Sequence, residues 1–294
     1  MLTLRALLEE GCEALKDRGI ADASVDSWLL LSECFGVNRL DYLINPGAPA
    51  APEPAMRYRE AIARRAEGEP LQYITGQQEF MGLPFKVNEN VLIPRQDTEI
   101  LVETVLKHMP EDASVLDMCT GSGCILLSIM AMKHCAYGHG ADLSEKALAV
   151  ARENEQGVRA LSKTALPPGN EPPVRWIHSD LFENIHDRYD VIVSNPPYIP
   201  SDEISGLMTE VRAHEPRMAL DGSEDGLAFY RRIISQAMDY LSDRGMIFFE
   251  IGWNQAEDVR RLLRNAGFCQ IQVKKDLAGL DRVVFASQEG GNYV

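Results

Sequence analysis

The sequence predicts an α/β fold: a mostly parallel, doubly wound sheet with an antiparallel last strand, preceded by a small helical domain and a linking β-hairpin. From residue 113 onward, short apolar runs alternate with helical patterns, which is typical of successive βαβ units. Before residue 76, apolar residues recur at helical spacing instead. We therefore expect three parts, at residues 1–75, 76–95 and 96–294.

The first part, residues 1–75, contains three helical patterns. Leucines recur at helical spacing in TLRALLEEGCEAL. The next pattern, DASVDSWLLLSECFG, starts with capping residues and stops at Gly36. The third, PEPAMRYREAIARRAEGEP, has Pro54 near its start, where a missing N–H does no harm. These patterns predict a small helical domain.

The second part, residues 76–95, changes character. In EFMGLPFKVNENVLIPR, apolar residues stand between turn residues, which predicts a β-hairpin that links the two domains. The stretch that follows, DTEILVETVLKHM, returns to helical spacing. Asp97 or Thr98 is its expected N-terminal cap.

The third part, from residue 96 on, supplies the sheet. The predicted strands are SVLDM, CAYGHGAD, VRWIHSD, DVIVSN and RGMIFFEIG, with CQIQVKK and RVVFASQ as a closing hairpin. The predicted helices between them are CILLSIMAMK, SEKALAVARENE, GLAFYRRIISQAMDYL and NQAEDVRRLLRNAG. The stretch GVRALSKTALPPGNEPP contains prolines and is expected to be an inserted surface loop.

The composition disfavours several classes of function. The formal net charge is −15, and residues 1–75 carry eight Lys or Arg against 12 Asp or Glu, a net of −4. Such a chain lacks the overall field that attracts nucleic acid or an anionic membrane. We expect a cytoplasmic protein with reduced cysteines, since no apolar run reaches the ~18 residues of a membrane span and the N-terminus does not resemble a signal peptide. No spacing of histidines or cysteines indicates a metal site.

Four strand ends carry residues suited to chemistry, and ligands of open α/β sheets bind at that edge. The first is VLDMCTGSGC, where Asp117 ends a strand and Gly121 and Gly123 lead into a helix. Such a turn lets a ligand approach the backbone and the N–H groups of a helix start. A dinucleotide site would have a third glycine at Leu126. The acid ahead of two glycines instead suits a ligand with a cationic amino group, such as S-adenosylmethionine (SAM). An ordinary tight turn explains the same residues.

The next two strand ends carry carboxylates. Asp142 follows the second predicted strand, where a carboxylate can accept both hydroxyls of a ribose, or can cap a helix. Asp180 ends the third strand and is expected to accept from an adenine amino group, with Leu181 packing on the ring or donating its N–H. A surface turn is the alternative for Asp180.

The fourth strand end is DVIVSNPPYIP. Asn195 offers a side-chain carbonyl, and Pro196 and Pro197 lack N–H groups while their own carbonyls stay available. The result is an acceptor-rich corner, whose natural complement is an –NH₂ group with two protons to donate. Tyr198 offers a flat face to a planar amide or base. A simple strand-ending turn is the alternative.

Together these stretches resemble the Rossmann-like, class I SAM-dependent methyltransferases, and NPPY resembles the members that methylate planar nitrogen. Two target classes share this tetrapeptide: amino groups of adenine or cytosine in nucleic acid, and the glutamine amide of peptide release factors. GQQEFMGLPFKVNENVLIPRQDTEILVE, HEPRMALDGSEDGLAFYRRII and DLAGLDRVV are similar to the HemK-type release factor glutamine methyltransferases (PrmC family). The resemblance covers residues 70–285. It departs at Ser223, where a second glycine would follow Gly222, and at the longer 158–173 insertion.

The resemblance implies methyl transfer from SAM to the glutamine of the Gly-Gly-Gln motif of a release factor, with residues 1–75 recognising the substrate. Its implied catalytic residues are Asn195, Pro196, Pro197 and Tyr198. Its implied cofactor residues are Cys119, Thr120, Gly121, Ser122, Gly123, Asp142, Leu181 and Asn195. Strand-end position adds Asp117 and Asp180. Arg95 and Thr98 are expected to approach the cofactor from the hairpin side, with an interdomain salt bridge and a helix cap as their alternatives.

Three other functions stay open at this point. A nucleic-acid amino methyltransferase would use the same NPPY corner, but it needs a basic track for phosphates, which the charge does not favour. A non-catalytic SAM-binding scaffold would not need Asn195 beside a complete cofactor site. A dinucleotide oxidoreductase is disfavoured by Leu126 at the third glycine position.

Overall fold

A computed structural model describes residues 2–162 and 173–288. Residue contacts divide the chain into two compact units. The first comprises Met1–Gln77 and Met208–His214, and the second comprises Gln78–Leu207 and Glu215–Val294. The short segment Met208–His214 thus belongs to the first unit, although it lies within the sequence range expected for the methyltransferase domain.

The helices and strands of the described residues follow in chain order. The helices are α1 Leu4–Asp17, α2 Ala23–Phe35, α3 Arg39–Ile44, α4 Pro52–Ala66, α5 Leu71–Thr75, α6 Gln96–His108, α7 Cys124–Met132, α8 Glu145–Ser162, α9 Thr209–His214, α10 Ala228–Tyr240 and α11 Ala256–Asn265. The strands are β1 Gln77–Phe80, β2 Leu83–Lys86, β3 Ala113–Met118, β4 Cys135–Asp142, β5 Val174–His178, β6 Tyr189–Ser194, β7 Leu241–Glu250, β8 Cys269–Lys275 and β9 Asp281–Ser287.

The first unit packs α1, α2 and α4 around an apolar core that includes Leu7, Leu15 and Leu30. The Thr3 hydroxyl caps α1 by accepting from an N–H of its first turn, and Gly36 ends α2 in the left-handed region at φ 62°. The helices α3 and α5 were not predicted, because six and five residues are too few to show a period.

A buried ion pair crosses this helical core. The Arg65 guanidinium of α4 bonds to Asp26 of α2 at 2.7 Å and to Glu210 of α9 at 2.7 Å. The Arg65 and Asp26 side chains are only 6% and 8% exposed. Removing one partner would therefore leave the other charge buried without compensation.

The second unit begins with the hairpin of β1 and β2. The observed hairpin is shorter than the predicted one, because β2 ends at Lys86 and no strand follows before α6. It also corrects the cap of α6. Arg95 occupies the N-cap position, so Asp97 and Thr98 lie within the first helical turn. The reason is tertiary: the Asp97 carboxylate pairs with Arg282, and the Thr98 hydroxyl accepts from the Asn195 side chain.

The sheet confirms the predicted fold class. Its strand order is β5-β4-β3-β6-β7-β9-β8, and β9 runs in the opposite direction to the other six strands. One core cluster packs α10 and α11 against the sheet, and a second packs α6 and α7. In register, Ser194 of β6 pairs with Met118 of β3 and with Phe249 of β7. The carboxyl ends of these three strands therefore meet at one edge.

The prediction of a surface loop is wrong for residues 157–162, which belong to a helix. Helix α8 runs on to Ser162, because Val158 continues its apolar stripe and is buried at 4% exposure. The rest of that loop, residues 163–172, lies outside the described residues. Within the described chain, no helix has the length and apolarity that crossing a membrane requires.

The buried ion pair predicts an unequal effect of two arginine substitutions on α4. Arg65→Ala should lower the free energy of unfolding of the first unit by about 3–5 kcal/mol, because it strands Asp26 in the core. Arg59→Ala is the matched control: Arg59 bonds to Glu10 with both side chains about half exposed, so a loss of ~1 kcal/mol or less is expected. Hydrogen exchange of α2 and α4 amides in the full chain measures both values. Equal losses would contradict this account.

Candidate functional site

The carboxyl ends of β3, β4 and β6 border a cavity of ≈ 270 Å³. It brings together most residues that the sequence singled out. The predicted residues in its wall are Arg95, Thr98, Cys119, Thr120, Gly121, Ser122, Asp142, Asp180, Leu181, Asn195 and Pro197. Four predicted residues lie outside the wall: Asp117, Gly123, Pro196 and Tyr198.

The turn after β3 forms one wall of the cavity. Cys119 and Gly121 both have left-handed backbones, at φ 61° and φ 55°, and the Thr120 N–H donates to the Ala141 carbonyl at 3.0 Å. Leu181, in the wall as well, has φ 53°. Left-handed residues other than glycine are costly and cluster at ligand sites. Three of them lie in one cavity wall, since Ser223 has φ 71°, and together they indicate a ligand-binding site.

Gly123 serves packing rather than the cavity wall. It precedes α7 at φ 77°, and a Cβ there would lie 2.7 Å from the Trp176 ring. The steric reason for glycine at this position is the Trp176 contact, which the sequence does not reveal, and the predicted contact of Gly123 with a cofactor stays a prediction.

Asp142 joins the end of β4 to the glycine turn. Its Oδ2 accepts from the Gly121 N–H at 2.9 Å, and its Oδ1 accepts from the Ser144 N–H at 2.8 Å. Burial raises the pKa of this carboxyl, and the backbone hydrogen bonds oppose the rise. The side chain thus holds the loop in shape while facing the cavity.

Asp117 lies behind the same turn. Its Oδ2 accepts from the Thr120 hydroxyl at 2.5 Å and from the Leu126 N–H at 3.3 Å. Its Oδ1 is buried, with no hydrogen-bond partner among the described residues. Burial raises the pKa of Asp117 to about 7. Asp117 therefore supports the turn from behind the cavity wall. The direct contact with a ligand that the sequence analysis expects of Asp117 stays a prediction.

Asp180 and Leu181 follow β5, which ends at His178, two residues earlier than predicted. The Asp180 carboxylate bonds to Arg232 at 2.8 Å with its side chain 40% exposed. Leu181 is buried at 4% exposure. Both belong to the cavity wall, so this loop offers one polar and one apolar group to a ligand.

The corner after β6 is tied to its neighbours by hydrogen bonds. The Ser194 hydroxyl donates to the Met118 carbonyl at 2.6 Å. The Asn195 Nδ2 donates to the Thr98 hydroxyl oxygen at 3.3 Å, so the Oδ1 end of the carboxamide is left for a ligand. Pro196 and Pro197 are buried. This arrangement agrees with an acceptor-rich corner.

Tyr198 departs most from its predicted place. Its hydroxyl approaches Glu250 Oε1 at 3.4 Å, and its carbonyl accepts from Gln255 Nε2 at 3.0 Å. A Cβ on Gly222 or Gly226 would come within 2.8 Å and 2.3 Å of the Tyr198 backbone. The Tyr198 backbone therefore packs against the 222–226 turn and its hydroxyl faces Glu250 of β7, while the predicted flat face for an amide stays a prediction.

Arg95 forms its ion pair within the second unit, so the interdomain alternative is wrong. Its guanidinium bonds to Glu215, whose side chain is 1% exposed and also accepts from the Ile93 N–H at 3.2 Å. Several wall residues on this side of the cavity were missed. They are Asn90, Val91, Leu92, Pro94, Pro216, Met218, Ala219, Asp221, Ser223 and Phe229. The available signals were the stretches NENVLIPR and HEPRMALDGSEDGLAFYRRII, both part of the resemblance.

No cluster of three metal-ligating side chains is found among residues 2–162 and 173–288. The polar groups of the site are carboxylates, two amides, hydroxyls, backbone groups and the Arg95 guanidinium, whose charge is balanced by Glu215. The site can therefore hold a neutral or cationic organic ligand by hydrogen bonds.

Comparisons with known proteins agree along the whole chain. Residues 6–76 match the PrmC N-terminal domain family, and residues 95–212 match the methyltransferase small domain family. By fold, a methyltransferase from Pyrococcus furiosus gives a TM-score of 0.52 at 15% identity, covering 77% of this chain and 96% of that one. The hMettl16 catalytic domain gives a TM-score of 0.54 at 16% identity, covering 82% of this chain and 84% of the other. These two likenesses concern the fold alone.

Closer relatives are bacterial proteins named release factor glutamine methyltransferase. The one from Geobacter sulfurreducens is 41% identical and covers 96% of this chain and 95% of its own length. The one from Caulobacter vibrioides is 40% identical, with 96% of each chain covered. At this identity over nearly the full length, the chain belongs to the release factor glutamine methyltransferase family.

Proposed function

We propose that this protein transfers the methyl group of SAM to the side-chain amide nitrogen of the glutamine in the Gly-Gly-Gln motif of peptide chain release factors. One observation carries the proposal: a single cavity is lined by the turn at residues 119–122 and Asp142, and also by Asn195 and Pro197. A cofactor loop and an acceptor corner thus face the same space. The names of relatives 39–41% identical support the same reaction.

The residues of the cavity fit SAM. A Cβ at Gly121 would meet nothing within 4 Å, so its backbone stays open to a ligand. We assign the methionine end to residues 119–122, the ribose hydroxyls to Asp142, and the adenine to Asp180 and Leu181. Arg95 and Thr98 close the same cavity from the α6 side. When bound, SAM supplies an electrophilic methyl group on a sulfonium.

The corner at residues 195–198 addresses a chemical difficulty. An amide nitrogen shares its lone pair with the carbonyl, a resonance that sets a rotation barrier of ~18–20 kcal/mol, and it is a poor nucleophile. We propose that Asn195 Oδ1 and a carbonyl of Pro196 or Pro197 each accept one hydrogen of the glutamine amide. This orients the nitrogen and stabilises positive charge that grows on it. Each contact contributes on the order of 1–3 kcal/mol when buried.

No strong base is required before methyl transfer, because the amide proton leaves more readily once nitrogen carries the methyl group. The proposed partner is a protein rather than nucleic acid, since the net charge of −15 disfavours phosphate binding. We propose the cytoplasm as the place of reaction, because the proposed substrate serves translation.

Asn195→Ala should lower kcat about 10- to 100-fold, because one of the two amide contacts is lost, at ~1–3 kcal/mol. The Kd for SAM should change much less. Kinetics with a purified release factor and calorimetry with SAM measure the two effects. Asn265→Ala, at the exposed end of α11, is the matched control and should behave as wild type. Near-normal turnover of Asn195→Ala would refute the assignment.

Asp142→Asn should weaken SAM binding about tenfold, because an amide accepts hydrogen bonds less strongly than a carboxylate, by roughly 1–2 kcal/mol. At saturating SAM, kcat should stay close to wild type. Titration calorimetry gives the Kd. Asp239→Asn, exposed on α10, serves as the control. Unchanged SAM affinity in Asp142→Asn would remove Asp142 from the cofactor site.

The choice of substrate is tested with radiolabelled SAM and three acceptors side by side. These are a purified release factor, the same factor with alanine in place of the Gly-Gly-Gln glutamine, and duplex DNA. Label is expected on the first acceptor alone. Label on the DNA and none on the protein would replace the proposal with a nucleic-acid amino methyltransferase.

A further inference from the structure

Glu250 ends β7 beside the Asn195 corner, although it is not part of the cavity wall. Ser194 and Phe249 pair in register, so Asn195 and Glu250 are the next residues of two neighbouring strands. Glu250 is 1% exposed. It is an acid at the end of a buried apolar strand, and the SAM and glutamine contacts proposed above give it no role.

The side chains of Asn195 and Tyr198 are both linked to the Glu250 carboxyl group. Tyr198 Oη lies 3.4 Å from Glu250 Oε1. The Thr98 oxygen accepts from Asn195 Nδ2 at 3.3 Å, and the Thr98 hydroxyl lies close enough to the Glu250 carboxyl to lower its pKa, which makes this carboxyl the acceptor we assign to the Thr98 proton. Asn195 is thus connected to Glu250 through Thr98, and Tyr198 is connected to it directly.

The chain of hydrogen bonds has a defined direction. A hydroxyl has one proton to donate and lone pairs to accept with. When Thr98 donates its proton to a carboxylate, only its lone pair is left for Asn195, and it selects the Nδ2 end of the carboxamide. The Oδ1 end then points the other way, toward the cavity. A carboxamide without such a partner has two orientations of similar energy.

Charge balance does not explain Glu250. The nearby cation, Arg282, already pairs with Asp97 at 3.0 Å and with Asp276 at 3.1 Å. Glu250 Oε2 is buried without a hydrogen-bond partner among the described residues. Because buried polar atoms are nearly always paired, a buried acid with an unpaired oxygen calls for a functional reason.

We propose that Glu250 is a positioning residue for methyl transfer, whose carboxylate orients the Asn195 carboxamide through Thr98 and holds Tyr198 directly. The orientation presents Asn195 Oδ1 to the substrate amide. This inference rests on the proposed function, since it assigns a role at the same corner.

The proposal has a pH dependence. Burial raises the pKa of Glu250 to about 7, and the Thr98 side chain is the largest of the opposing effects. The carboxylate is present above that pH. Below it, the protonated acid no longer requires the Thr98 proton, which then becomes available to the Oδ1 end of Asn195. The kcat should therefore fall as the pH drops through about 7. The ionisable groups that face Glu250 are Asp97, Cys124, Tyr198, Tyr230 and Arg282.

The test is Glu250→Gln, which keeps the side-chain shape. At saturating SAM and release factor, kcat should fall about 10- to 100-fold at pH ~8, and its decline below pH ~7 should disappear. The Kd for SAM should stay within about twofold, because Glu250 lies outside the cavity wall. Asp117 also titrates near pH 7, but it belongs to the cofactor turn, so its titration should appear in SAM affinity and persist in Glu250→Gln. A kcat and a pH profile like those of wild type would overturn the proposal.

The matched control is Asp190→Asn, at the opposite end of β6. Asp190 accepts from the Ser114 N–H at 2.9 Å and from the Ser242 hydroxyl at 2.7 Å, far from the corner in register. It should lower the melting temperature and leave kcat unchanged. If Glu250→Gln shows only that pattern, its role is structural and the proposal fails.

A double-mutant cycle with Thr98→Val separates one chain of hydrogen bonds from two independent effects. Each single variant should lower kcat, and the double variant should lose little more, because both break the same connection. Fully additive losses would overturn the proposal.

If the wild-type protein transfers no label to a release factor, the proposed function is rejected, and the role of Glu250 needs a test that does not depend on turnover. Glu250 is then tested by NMR: the Asn195 Nδ2 resonance should shift in both Glu250→Gln and Thr98→Val, and an unshifted resonance rejects the positioning role.

Discussion

The parallel register of β3, β6 and β7 is the constraint on which the site depends. Ser194 pairs with Met118 on one side and Phe249 on the other, and its hydroxyl fixes the pairing by donating to the Met118 carbonyl at 2.6 Å. A slip of one residue would turn every side chain of β6 to the other face of the sheet. Because the register holds, the glycine turn, Asn195 and Glu250 emerge at one edge within reach of one cavity.

The strand ends of this edge carry buried carboxylates, which burial alone would make costly. Asp142 and Asp117 offset that cost with backbone N–H groups of the glycine turn and the start of α7. These hydrogen bonds stabilise a loop that contains left-handed residues, a backbone conformation that costs free energy. Among the described residues no backbone N–H donates to the Glu250 carboxyl, and the Tyr198 hydroxyl approaches it instead. Asp142 and Asp117 therefore hydrogen-bond to the backbone of the turn, whereas Glu250 contacts a side chain of the corner.

The sequence predicted those parts of the site that follow from local chemistry. The strands CAYGHGAD and CQIQVKK have the observed bounds, and the glycine turn, Asp142 and Asn195 meet in one cavity as expected. The structure adds partners that are distant in sequence. Asp117 lies behind the wall, and the Tyr198 hydroxyl approaches Glu250, 52 residues away, while the ligand contacts predicted for both residues stay predictions. The course of α8 past its predicted end depends on Val158 packing into the core. The contacts of Asp117 and Tyr198 leave no period or motif in the chain, whereas Val158 does continue the apolar spacing of α8.

Thr98 lies in the cavity wall, but it does not cap α6. A threonine near a helix start is expected to cap it with its hydroxyl oxygen. Here that oxygen accepts from Asn195, 97 residues away, and α6 begins three residues earlier, after Arg95, without a side-chain cap. Pro196 and Pro197 have no N–H, so the corner takes its orientation from the one hydrogen bond that Asn195 Nδ2 donates to Thr98. The acceptor comes from α6, so the loss of a local cap and the orientation of the Asn195 side chain are two consequences of the same hydrogen bond.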